Sequence, residues 1–139
     1  MASNMIRDVK ERAEEYLHQS LKYLENAEKF LDKQDPEKAG EFLWGSVATA
    51  FKALVMAKKG EEIRSHAQFW DIARELARET GDESLYKIYK EANQLHCNFY
   101  DSKLTLEDIK MSSANIAKLV KKLMGMTRYA LEQATKRTL

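Results

Sequence analysis

Apolar residues recur at spacings of three and four over most of the chain, the period of helices that bury one face. Val9, Ala13, Leu17, Leu21, Leu24, Ala27 and Leu31 form the first such stripe, and Tyr16, Tyr23 and Phe30 widen it. The pattern predicts a helix over 6–31. It breaks at Asp32 to Asp35, after which Asp35 can cap and Pro36 can open a second helix, where a missing amide hydrogen costs little. Gly60, after Lys58 and Lys59, ends that helix with the glycine and the cations that suit a C-terminus.

Three further helices follow. Ser65 and Gln68 have capping-box spacing and open a third, closed by Gly81, with Phe69, Ile72, Ala73, Leu76 and Ala77 inward. Asp82 can cap a fourth, carrying Leu85, Ile88, Tyr89, Ala92, Leu95 and Phe99. Thr105 and Asp108 mark the start of a fifth, with Ile109, Ile116, Ala117, Val120, Leu123 and Met124 on its apolar side. Beyond Gly125 the pattern weakens, and a frayed helical extension carrying Tyr129, Leu131 and Ala134 is expected over 125–139. Short loops predict consecutive helices lying side by side and antiparallel. The expected fold is all-α: one antiparallel up-and-down helical bundle spanning 1–139, with its core at about 6–124.

The second helix departs from a simple two-sided pattern. Between Phe42 and Ala57 its one charged residue is Lys52, and a second apolar stripe, Trp44, Ala48, Phe51 and Val55, accompanies Phe42, Leu43, Val47, Ala50 and Leu54. A helix apolar all round must be covered all round. Trp44, Ala48, Phe51 and Val55 are therefore expected at a homodimer interface.

Composition narrows the function classes. Five glycines and one proline in 139 residues leave few helix breakers. A formal net charge of +1 provides no global field for a polyanion, so DNA binding is not expected. A single cysteine, Cys97, excludes an internal disulfide and a Cys-rich zinc site. The chain shows no signal-peptide pattern at its start and no apolar run of membrane-spanning length, so a cytoplasmic protein away from membranes is expected. Glycine-rich nucleotide motifs, a nucleophile elbow, H-E-x-x-H and EF-hand loops are absent from the sequence. No cofactor and no metal are expected.

The candidate chemistry lies in a few polar residues. Lys52 sits in the most apolar helix, where it either contacts an anion or extends its charge past the edge of the apolar face. His66 stands where the third helix exposes its first amide groups, as an anion contact or a hydrogen-bonded helix start. His96 lies on the inward side of the fourth helix, four residues after Ala92, and Asn98 and Tyr100 follow where that helix must end. The segment Leu95 to Tyr100 is read as a polar network or as an elaborate C-cap. His66, His96 and Cys97 do not make a metal site, because the adjacent His96 and Cys97 diverge by about 100° on a helix.

The run Glu37 to Lys59, the pair Ser65-His66, and Leu95-His96-Cys97-Asn98-Phe99-Tyr100 followed by Asp101 together resemble the archaeal PaREP family, small helical proteins related to the HEPN superfamily. The resemblance covers roughly Arg12 to Leu123. It implies a HEPN-like bundle of four main helices plus a short one, usually paired as a homodimer. HEPN relatives include toxin ribonucleases with an Arg-x(4 to 6)-His motif and non-catalytic partners of nucleotidyltransferases. By position His96 matches the motif histidine and Tyr100 the aromatic beyond it. The positions where the arginine would stand hold Tyr89, Lys90 and Glu91. Lys90 keeps the charge without the planar fork. The resulting expectation is a non-catalytic module holding a nucleotide, an RNA end or a nucleotidyltransferase partner at Lys52, His66, His96, Asn98 and Tyr100. The alternatives are a metal-independent endoribonuclease with His96 as general acid or base, and a structural or regulatory subunit without ligand.

Overall fold

The computed structural model describes residues 2–97 and 104–138, and every regular element among them is helical: α1 Ala2–Asp32, α2 Pro36–Lys59, α3 His66–Thr80, α4 Ser84–Cys97 and α5 Leu106–Thr138. The boundaries follow local chemistry. Asp35 accepts the Lys38 amide at 3.1 Å and Pro36 fills the first turn of α2, while Gly60, at φ 65°, ends the helix by donating its amide to the Met56 carbonyl. Gly81 closes α3 in the same left-handed conformation, which a Cβ would strain. Thr105 and Asp108 exchange backbone-to-side-chain hydrogen bonds at the start of α5, so both expected capping boxes are present.

Helix α2 is the axis of the bundle. Phe51, Val47, Leu43 and Ala50 are fully buried along it, in one continuous core with Leu17 and Ala27 of α1, Phe69 of α3, Tyr89 of α4 and Ile116 of α5. Helix α1 crosses it closely and antiparallel. Ser20 Oγ donates to the Ser46 carbonyl at 2.6 Å, and a Cβ on Gly45 would come within 3.1 Å of the Tyr23 ring, so the absence of a side chain there sets the approach. Phe30 stacks on Phe42 at 5.4 Å, completing the seam.

Two features differ from the expectation. Helix α5 continues through Gly125 to Thr138 without a break, because Thr127 and Leu131 are buried and Leu131 joins Ala13, Met56 and Ala57 in a second apolar cluster. The tail of the chain is thus part of the packed structure. Helices α2 and α3 run in the same general sense: His66 at the start of α3 lies against Trp44, and Glu79 near its end pairs with Lys58 at 3.1 Å. The connection 60–65 runs back along the bundle to make this possible. It is held there by Glu62, which accepts hydrogen bonds from Tyr16 and Arg12 of α1, and by buried Ile63.

Asp82 joins two helices at once. Its carboxylate accepts the Ser84 amide at the start of α4 and lies 2.6 Å from the Lys122 ammonium of α5. Bonding to Lys122, then to Ser84, holds its carboxyl down at about 2. A group with a depressed folded pKa contributes stability that is present above the ordinary carboxylate pKa of about 4 and is lost as pH falls through the folded value. Stability should therefore decline as pH drops from about 4 towards 2. Asp82→Asn should flatten that decline in denaturant titrations. An identical acid limb in the variant would show that Asp82 does not contribute to it.

Candidate functional site

The rings of Trp44, His66 and His96 gather at the end of the bundle where α2 and α3 begin and α4 finishes. Trp44 and His96 stack at 5.2 Å with 21° between their planes; His66 lies 5.4 Å from Trp44 and 6.1 Å from His96. Phe69 and Tyr89 back the cluster, with ring centroids 5.7 and 6.0 Å from Trp44. The gathering follows from the topology. The return of 60–65 brings the start of α3 to the level of Trp44, and antiparallel α4 brings its own last turn there.

The polar atoms around these rings are specific. His66 Nε2 donates to Asn93 Oδ1 at 2.9 Å, and Asn93 Nδ2 in turn lies 3.7 Å from Cys97 Sγ. An amide oxygen can only accept, so the proton of this contact sits on His66 Nε2. His96 Nδ1 is 3.5 Å from Glu41 Oε1, close enough for an ion pair when the imidazole is protonated, and makes no hydrogen bond among the described residues. Tyr89 is completely buried, and burial pushes its hydroxyl pKa up to about 12. Among the described residues, the buried side-chain polar atoms without a hydrogen-bond partner are Tyr89 Oη and His96 Nδ1. Both belong to rings that pack on Trp44. Buried polar groups are nearly always satisfied, so two exceptions beside one tryptophan mark this end of the bundle.

His66 and His96 thus lie side by side, with ring centroids 6.1 Å apart. Lys52 does not join them: it lies eight residues beyond Trp44 on α2, about 12 Å along the helix axis. Half-buried, it forms no hydrogen bond or ion pair among the described residues. Asn98 and Tyr100 lie outside the described residues. The residues of the expected dimer stripe divide between the core and the ring cluster. Phe51 is fully buried within the chain, its ring edge-on to Phe69 at 6.4 Å and to Tyr89 at 5.6 Å, and Val55 is buried as well. Helices α3 and α4 cover the second apolar stripe of α2, so Phe51 and Val55 offer nothing to a second subunit. Ala48 is half-buried beside them, and half-buried Trp44 belongs to the ring cluster.

Glu41 and Asn93 are the members that the sequence reading missed. Each was marked by spacing, since Glu41 precedes Trp44 by three residues and Asn93 precedes His96 by three, placing each pair on one helix face. Among the described residues no group of three or more His, Cys, Asp or Glu is arranged to hold a metal ion. A cavity of about 610 Å³ lies elsewhere, between α2 and α5 against Leu54, Ala57, Met126 and Tyr129. Its polar residues are lysines and a glutamine at an apolar surface. Cavity size and chemistry therefore point to different places, and the chemistry lies with the ring cluster.

The helices and their packing define an all-α bundle, and among the described residues no helix is long and apolar enough to cross a membrane. The model of the archaeal PaREP1/PaREP8 family matches residues 15–120, and the chain belongs to that family. A crystal structure of a protein from Sulfolobus solfataricus is similar, with a TM-score of 0.68 and 23% identity over 78% of this chain and 95% of that one. At that identity the likeness speaks for the fold alone. No curated protein matches the sequence.

Proposed function

We propose that this chain is a non-catalytic, HEPN-like binding module that holds a nucleotide or an RNA end at the Trp44, His66 and His96 rings. The observation that carries this reading is the stacked ring cluster of Trp44, His66 and His96, beside which Tyr89 Oη and His96 Nδ1 are buried without a hydrogen-bond partner among the described residues. Nucleotides combine a flat base, which stacks on aromatic and imidazole rings, with phosphates that accept hydrogen bonds from imidazolium. The cluster supplies both kinds of contact within one turn of three helices.

The ribonuclease reading draws on one observation, the Glu41 carboxylate beside His96 Nδ1, an arrangement that can orient a catalytic imidazole. The cation needed for charge developing on the scissile phosphate is the weak point. Lys90 lies six residues before His96 on α4, about 120° around the helix, and its ammonium rests 5.8 Å from the Tyr86 ring centre. That placement favours binding over cleavage.

Titration calorimetry with 5′-AMP and incubation with labelled single-stranded RNA in EDTA test the proposal. His96→Phe, which keeps a ring against Trp44 but removes the nitrogens, should weaken AMP binding about ten- to a hundredfold, the loss of one charge-assisted hydrogen bond. The RNA should remain intact. Absence of AMP binding to the unaltered protein at millimolar concentration would overturn the reading. RNA cleavage that disappears in His96→Ala would replace it with the ribonuclease.

A further inference from the structure

We propose that the surface between α3 and α4 carries a single-stranded RNA away from the Trp44 cluster, with Arg74, Arg78 and Lys87 receiving successive phosphates. His66, Trp70, Arg74 and Arg78 follow one another at intervals of four on α3, a stripe about 18 Å long that begins at the ring cluster. Antiparallel α4 faces it with Asn93 at the histidine end and Tyr86 and Lys87 at the other. Rings stand towards the cluster end of this strip and cations, beside Tyr86, towards the other. The Arg74 guanidinium sits 5.9 Å from the Trp70 ring centre and 5.7 Å from that of Tyr86, and the Lys90 ammonium lies 5.8 Å from Tyr86.

The strip ends in a concavity of about 480 Å³, lined by Arg74, Arg78, Lys87 and the Tyr86 ring, with Glu83 as its acidic residue. Arg74 has a partner in Asp71 at 3.4 Å, but both groups are solvent-exposed, and such a pair is weak enough for a phosphate to displace it. Arg78 and Lys87 form no ion pair among the described residues. Unneutralised cations in a hollow, beside an aromatic wall, are the elements of single-strand binding: the charges follow the backbone and the rings take bases irrespective of sequence. An acidic peptide would use the cations and leave the rings idle. Helices α3 and α4 together carry four Lys and Arg and four Asp and Glu, so the patch is an arrangement of cations within the hollow and not an excess of charge on the helix pair.

This inference rests on the nucleotide reading of the ring cluster, and the experiment separates the two. Affinity for 5′-AMP and for an eight-nucleotide oligouridylate is measured between 50 and 200 mM salt, on the unaltered protein and on Arg78→Gln/Lys87→Gln. Both substitutions are exposed, and thermal melting confirms the fold. Three phosphate contacts give a log–log salt slope of about −2, a loss of roughly twentyfold across that range, which should fall to a slope of about −0.7 in the double variant. The oligonucleotide should bind the unaltered protein at least about tenfold more tightly than AMP, and the variant should lose that advantage while binding AMP unchanged. Equal affinity for AMP and the oligonucleotide would overturn the strip and leave the ring site standing. Oligonucleotide binding with this slope but no AMP binding would uphold the strip and overturn the ring site. Competition by octaglutamate as effective as by the oligonucleotide, or equal losses of AMP and oligonucleotide binding in the variant, would also overturn the proposal.

Discussion

Phe51→Ala is expected to destabilise the protein by about 3–5 kcal/mol, the usual range for deleting a fully buried aromatic side chain. The ring has no exposed surface and is edge-on to both Phe69 and Tyr89, so its removal opens a cavity where α2, α3 and α4 meet. Domains of this size are typically stable by about 5–15 kcal/mol, so the loss is a large fraction of the total. Denaturant unfolding should show a lower midpoint with little change in slope. Phe51→Glu should fail to give soluble folded protein, since it would place a carboxylate where nothing can pair with it. A well-folded Phe51→Glu monomer derived from a dimeric parent would instead restore the second stripe of α2 to an interface.

Truncation after Gly125 should be comparably severe. The missing segment carries Thr127 and Leu131, and its loss uncovers Met56, Ala57 and Ala13. Burying a Leu or Met side chain contributes about 1.5–3 kcal/mol, so losing Leu131 and exposing Met56 should together cost about 3–6 kcal/mol. The shortened chain is expected to unfold well below the melting temperature of the full chain, measured by circular dichroism. An unchanged melting temperature would make the second half of α5 the dispensable extension that its sparse apolar pattern suggests.

These two cases also show which parts of the structure were legible in the sequence. Helix starts were readable because capping is local: Asp35 with Pro36, Ser65 with Gln68, and Thr105 with Asp108 each act within one turn. The packing of the end of α5 was not, because Leu131 is buried against Ala13 of α1 and Met56 and Ala57 of α2 rather than within a regular stripe of its own. What covers each side of α2 was equally hidden. That depends on 60–65 doubling back beside Tyr16, a path set by the Glu62 contacts with Tyr16 and Arg12, which lie far away in sequence. The same path decides the site. His66 and His96 were recognisable as unusual residues, whereas the partnership of Trp44, Glu41 and Asn93 follows from which helix ends meet. Lys52 was conspicuous for its apolar neighbours, but distance along α2 separates it from the imidazoles.

The second apolar cluster has a kinetic consequence. Ala13, Met56 and Leu131 come from the first, second and last helices, so their contact requires nearly the whole chain to have closed on itself. The α1–α2 hairpin closes through a short turn and can form early, because loop entropy is small for neighbours in sequence. Docking of the end of α5 onto that hairpin is expected to follow it. Interactions absent from the transition state govern how fast a folded protein opens rather than how fast it forms. The cluster around Leu131 is therefore a latch: it sets the lifetime of the closed bundle while leaving the rate of its assembly to the hairpin.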